Sequence, residues 1–286
     1  WEYIERFSTT ALFVINHLDH SKADYESTLE QARARFGNKV IPVQYPLNAG
    51  AGFNTIVDAL RMTLYVFSED GGKPEKKAIP PEEMDRAMEL HNALVEAAAE
   101  NDEGLMEKFF DAGSLTEEEL TEGLRIAIAN QEIFPVFCCA AESNMGSGRI
   151  MGFVNDVCPS PADRPPALLS DGSELECKVE GDTTILIYKT ISEPRVGNVS
   201  YFKVYSGVVK AGDELENATT EQTERFSQLF LANGKDRSSI NEVRAGDLGV
   251  TLKLKDSHTN QTLNTKGGSR KIEEMHFPES RIRVAI

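Results

Sequence analysis

Asn16 and Asp19 are the residues whose types and spacing point most directly to chemistry. They frame the segment Asn16, His17, Leu18, Asp19, which follows an apolar run at 11–15. An aspartate carboxylate accepts two hydrogen bonds at once, which suits a ring N–H beside an exocyclic amine; guanine offers that pair and adenine does not. An asparagine amide donates to the adjoining acceptor edge and ties the loop together. The same four residues also read as a strand that ends in an Asx turn. The apolar run predicts a buried parallel strand, and an open α/β sheet places ligand-reading side chains at the carboxyl end of such a strand.

Nothing else in the chain completes a nucleotide site. There is no Gly-x-x-x-x-Gly-Lys-Ser/Thr segment, so no loop cradles a phosphate or presents a hydroxyl to Mg²⁺. Gly50 with Gly52, and Gly146 with Gly148, lack both the lysine and a preceding strand, and turns are expected there. Phosphoryl transfer needs phosphate, metal and water positioned together, so the chain holds at most the base-reading edge of such a site. Cys138, Cys139, Cys158 and Cys177 lack zinc-ligand spacing, and the five histidines are scattered. Adjacent Cys138 and Cys139 face opposite ways on one strand, so reduced core thiols of a cytosolic protein are expected.

With 286 residues the chain can bury two separate cores. Its charge is uneven: residues 1–162 hold 13 Lys and Arg against 27 Asp and Glu, while 163–286 hold 17 against 19. The first part repels nucleic acid and suits a basic partner; it reads equally well as a solvated acidic face. The second part is neutral enough to touch RNA locally, without a basic cluster that demands it. No apolar stretch reaches membrane-spanning length and no signal pattern opens the chain, so the expectation is a cytoplasmic protein with no membrane partner. The start at Trp1 without Met, and strand-like residues at 282–286, lead to the expectation of a piece of a longer protein.

Helix and strand signals alternate up to Pro159. A helix is predicted over 25–36, closed by Gly37, then a short strand at 40–43. Met84, Ala87, Met88, Leu94, Val95 and Ala98 follow a helical period, and Thr116 with Glu119 forms a capping-box pattern. Residues 134–138 return to an apolar strand. The acidic, helix-rich block at roughly 68–125 therefore looks inserted between two strands of one sheet. Prolines at 159, 161, 165 and 166 punctuate the boundary. Beyond them the period becomes two, in strands at 185–188, 199–205, 208–209 and 249–254 with glycine turns between, which predicts a closed antiparallel β-barrel.

The tetrapeptide at 16–19 resembles the Asn-Lys-x-Asp guanine-specificity motif of GTPases, with His17 where lysine is usual. Longer stretches resemble bacterial elongation factor G, the translocation GTPase of the ribosome. Residues 13–19 and 23–25 look like its guanine-specificity strand, and 43–47 (Val-Gln-Tyr-Pro-Leu) are similar to the segment that leads into its G′ insertion. Residues 94–100, 105–109 and 115–120 resemble the G′ helices. Residues 203–213 (Lys-Val-Tyr-Ser-Gly-Val-Val-Lys-Ala-Gly-Asp) and 243–247 (Val-Arg-Ala-Gly-Asp) look like signature turns of its second-domain barrel. Residues 275–279 with 284–286 resemble the start of its third domain.

The resemblance implies an α/β plus all-β chain: an incomplete P-loop-GTPase-type parallel sheet with an inserted helical G′ subdomain, then an antiparallel translation-factor β-barrel. Residues 1–162 would be the C-terminal part of the G domain with the insertion at about 44–125, 163–268 the barrel, and 269–286 the start of domain three. It further implies binding of GTP or GDP, translocation on the ribosome, a small-subunit contact through the barrel and a ribosomal stalk contact through G′. The family's last guanine loop reads Ser-Ala-x-Lys, where this chain has Ala140, Ala141, Glu142 and Ser143. The implied nucleotide-binding residues are thus Asn16, His17, Asp19, Ala140, Ala141 and Glu142, with no catalytic or metal-binding residue. In this set Ala141 offers its backbone N–H to the guanine oxygen and His17 stacks where the lysine stem packs. Ala140 lacks the hydroxyl that braces the loop. These departures carry the alternative of a ribosome-binding paralogue with weak or absent GTP hydrolysis, acting as an interaction protein. No nucleotide is expected to stay bound to this chain alone.

Overall fold

The structure, a computed structural model, describes residues 1–100 and 102–277. The strand expected at 282–286 lies outside the described residues. Contacts divide the chain into two units, Trp1–Pro159 and Ser160–Ile286.

The first unit runs α1 (Glu2–Arg6), β1 (Phe13–Ile15), α2 (Tyr25–Phe36), β2 (Val40–Pro42), β3 (Gln44–Pro46), β4 (Thr55–Asp58), β5 (Thr63–Val66), β6 (Glu75–Lys77), α3 (Met84–Ala99), α4 (Glu103–Ala112), α5 (Glu117–Ala129), β7 (Phe134–Cys138) and α6 (Ser147–Asp156). Strands β1, β7 and β2 form a parallel sheet in that order. All five residues of central β7 are buried, because both faces of the sheet are covered. Val136 and Cys138 face a core that includes Leu29 of α2 and Tyr65 of β5. Phe137 faces the opposite core, built from Leu94, Leu124 and Phe153 of α3, α5 and α6.

Three elements depart from expectation. The run at 11–15 gives a strand of only three residues with Val14 44% exposed, not a buried strand, because Phe13 and Ile15 pack against the core and Val14, alternating with them, turns to the other face. Between the neighbouring strands β2 and β7, the intervening block opens as a four-stranded antiparallel sheet, β3-β4-β5-β6, before its helices begin. Its hairpin turn is set by Asp58, whose Oδ1 accepts the Arg61 N–H at 2.9 Å. Gly146 opens a helix where a turn is expected, serving as the N-cap of α6. The capping box at α5 forms as the sequence predicts, with Thr116 and Glu119 each satisfying the other's backbone N–H.

The second unit runs β8 (Ala167–Leu168), β9 (Glu174–Leu175), β10 (Thr184–Glu193), β11 (Gly197–Ser206), β12 (Val208–Lys210), β13 (Glu214–Asn217), β14 (Thr223–Arg225), β15 (Leu229–Asn233), β16 (Asp236–Ile240), β17 (Glu242–Arg244), β18 (Leu248–Leu252) and β19 (Gln261–Thr265). Eight of them form one antiparallel sheet in the order β14-β13-β19-β10-β11-β18-β15-β16. Alternation in β11 turns Phe202 and Val204 inward. There they meet Ile187, Leu215, Leu229 and Leu263, with Val209 and Val243 from a separate ribbon, β12–β17. The sheet thus wraps one core. β14 and β16 end the sheet, and the β12–β17 ribbon packs on the same core, in keeping with the antiparallel barrel expected from the sequence.

Candidate functional site

β1 and β7 are parallel neighbours, so the loops that leave their carboxyl ends open on the same end of the sheet. Backbone bonds stitch the loops together: Cys139 N–H donates to Ile15 O at 3.0 Å and Leu18 N–H to Cys139 O at 3.3 Å. His17 takes a left-handed conformation at φ +59°, leaving its side chain exposed while Leu18 turns into the core. Gly50 N–H then caps Leu18 O at 2.7 Å.

Asn16 Oδ1 accepts the Ala141 N–H at 3.0 Å and the Cys139 thiol at 3.3 Å. The N–H that the resemblance implies for a guanine oxygen is therefore bonded within the protein. Asp19 is half-buried, and its Oδ2 accepts the Ser143 hydroxyl at 2.9 Å. Among the described residues its Oδ1 has no hydrogen-bond partner. Ala140 is buried, and both its backbone groups pair with Met145, at 2.9 and 3.0 Å. Glu142 is exposed.

Of the six residues expected at the site, the structure gathers Asn16, Asp19 and Ala141. His17 and Glu142 are exposed in the same two loops, and Ala140 has no polar group left to offer. Ser143 is the residue missed by sequence reasoning. Its one signal was a hydroxyl where the resembled motif has lysine. Burial raises the Cys138 thiol, with adjacent Cys139 adding to the shift, and burial likewise raises Cys139, which keeps both side chains in the protonated form of core thiols. Among the described residues no group of three or more His, Cys, Asp or Glu could hold a metal ion. Nor is any described helix long and apolar enough to cross a membrane.

Residues 197–263 match the family model of elongation factor Tu domain 2. The barrel matches a translation-elongation domain. This elongation-factor match begins with β11 and ends within β19, strands that supply the barrel core together with Ile185 and Ile187 of β10. The chain is also similar to a crystal structure of a protein from Thermus thermophilus, at 25% identity and a TM-score of 0.82. That likeness covers 99% of this chain and 40% of the Thermus chain, so this chain spans about two fifths of that protein's length. The domain match relates residues 197–263 to translation elongation factors, and the structural likeness extends along nearly the whole chain.

Proposed function

We propose that this chain is the base-reading and barrel portion of an elongation factor G-like GTPase, which binds GTP and the ribosome and promotes translocation. One observation carries the reading: a sheet end that gathers Asn16, Asp19 and Ala141 precedes, in the same chain, a barrel matching elongation factor Tu domain 2. Asp19 reads the guanine N–H pair, Asn16 holds the two loops together, and His17 lies along the base. Support for a base here comes from Asp19 Oδ1, which has no hydrogen-bond partner among the described residues, and from the exposure of the adjoining Asn16 and His17. It offers no glycine and lysine cradle for phosphates, which in this reading are held, with Mg²⁺, by other segments of a longer protein. The block at about 44–125 is the G′ insertion and its acidic helices face a ribosomal stalk protein. The barrel faces the small subunit, and the protein works in the cytoplasm.

The test is ribosome-stimulated hydrolysis and translocation by the full-length protein, with Asp19→Asn alongside. Asparagine donates to the oxygen that xanthine carries in place of guanine's amine, so preference should move from GTP toward XTP. A preference left unchanged sinks the base-reading role. A second reading, a paralogue with weak or absent hydrolysis, is favoured by the Ala141 N–H being bonded to Asn16. Ribosome binding without stimulated hydrolysis would select it.

A further inference from the structure

We infer that Ser143 orients the Asp19 carboxylate for guanine recognition, and that the turn containing Gly71 and Gly72 in the intervening block seats Ser143. The inference rests on the base-reading role of Asp19 proposed above. A carboxylate turns about its Cβ–Cγ bond, and a bidentate contact requires both oxygens in the plane of the base. Something must set that plane. Alanine at 140 carries no hydroxyl, and its backbone is committed to Met145. Three residues later the chain bends: Asn144 N–H donates to Ala141 O at 3.1 Å, with Asn144 at φ +51°. The bend carries the Ser143 hydroxyl to Asp19 Oδ2 at 2.9 Å. An O–H···O⁻ bond is charge-assisted and directional, and it occupies one lone pair of Oδ2. Oδ1 and the other lone pair of Oδ2 stay available for the two donors of a guanine.

The seat comes from outside the loop. Gly72 N–H donates to Asn144 O at 3.0 Å, and Gly71 N–H closes its own turn on Ser68 O at 2.9 Å. Gly71 lies so close to the Ser143 carbonyl that a Cβ there would overlap the oxygen, and its φ of +69° already disfavours any side chain. The turn after β5 thus packs backbone to backbone against the residue that holds Asp19. A shift of the inserted sheet reaches the base-reading carboxylate through Ser143.

The experiment uses the full-length protein and fluorescent-nucleotide displacement with GDP and IDP, whose base lacks the exocyclic amine. Asp19→Ala tests the underlying reading and should abolish the preference for GDP over IDP. Ser143→Ala should weaken GDP about tenfold, the loss of one charge-assisted bond, and narrow the GDP/IDP ratio. Ser143→Thr retains the hydroxyl and should restore both. Gly71→Ala should resemble Ser143→Ala. If Asp19→Ala leaves the ratio unchanged, base reading itself fails, whatever Ser143 does. If Asp19→Ala abolishes the preference while Ser143→Ala leaves affinity and ratio at wild type, the role of Ser143 is overturned and base reading survives. Equal weakening of GDP and IDP in Ser143→Ala also overturns it, because that pattern marks loop stability alone. Wild-type behaviour of Gly71→Ala removes the seat.

Discussion

The Tyr25 hydroxyl donates to the Gln44 backbone carbonyl across 2.8 Å, and so ties α2 to the first strand of the inserted sheet. The Gln44 amide in turn donates to Asp58 Oδ2 across 2.9 Å. All three residues are buried, so removing a donor leaves an acceptor that water cannot easily reach.

Tyr25→Phe should therefore destabilise the first unit by about 1 kcal/mol in urea unfolding. Burial raises the Tyr25 hydroxyl pKa far above its ordinary 10.0, with Cys138 and Glu26 adding smaller shifts. The folded state thus resists ionisation that the unfolded chain undergoes. The stabilising contribution is complete below pH 10.0 and is lost progressively above it. The substitution should remove that part of the alkaline loss. Equal alkaline slopes in the two proteins would contradict it.

Asp58 gives an acid-side counterpart. Burial raises its carboxyl above the ordinary 3.8, against the lowering effects of Gln44, Arg61 and Arg149. Its contribution is complete below pH 3.8 and is lost as pH rises through the raised folded value. Asp58→Asn should gain on wild type as pH climbs from 3 toward 7, with the Gln44 amide turning so that its unpartnered Oε1 accepts from the new side chain. Chemical denaturation across that range is the measurement, and a constant difference between the proteins would refute it.

In the barrel, buried Glu224 accepts the Lys255 N–H at 3.0 Å and the Asp256 N–H at 2.7 Å. Glu224→Ala leaves both donors unmet and should cost about 3 kcal/mol, whereas Glu224→Gln keeps one acceptor and should cost about half as much. Thermal unfolding of the two variants, with exchange rates at the two amides, checks both the order and the cause.

The chain by itself should show no measurable guanine-nucleotide binding or hydrolysis. Association costs about 4–15 kcal/mol, more than one carboxylate–base pair with one amide returns in water. Saturable binding in calorimetry tighter than about 0.1 mM, roughly -5.5 kcal/mol, would show that the base edge contributes far more than this.

What was legible in the sequence was local. The helix at 25–36 ends at Gly37 as read, the strand at 134–138 matches to the residue, and the Thr116 capping box forms. Each is signalled within a few residues by a cap, a glycine or a continuous apolar run. The hairpin of β4 and β5 escapes because two four-residue strands give too little periodicity to separate from loop. At the site, Asn16 and Asp19 stand out where polar residues interrupt an apolar run. Ser143 does not, since its partner lies 124 residues away and the Ala140–Met145 bridge with the bend at Asn144 brings the hydroxyl back.

The pairing of β1 with β7 also orders events in time. Phe13 faces Val136 across a loop that contains the whole intervening block, while β4 and β5 meet through a tight turn. Closing a long loop is entropically slower than forming neighbouring contacts. The inserted hairpin and its helices should consolidate first and shorten the effective distance between β1 and β7, so that the carboxyl end of the parallel sheet assembles last. Pulse-labelled hydrogen exchange during refolding should protect Thr55 to Val66 before Phe13 to Ile15; the reverse order would show that the outer sheet nucleates the unit.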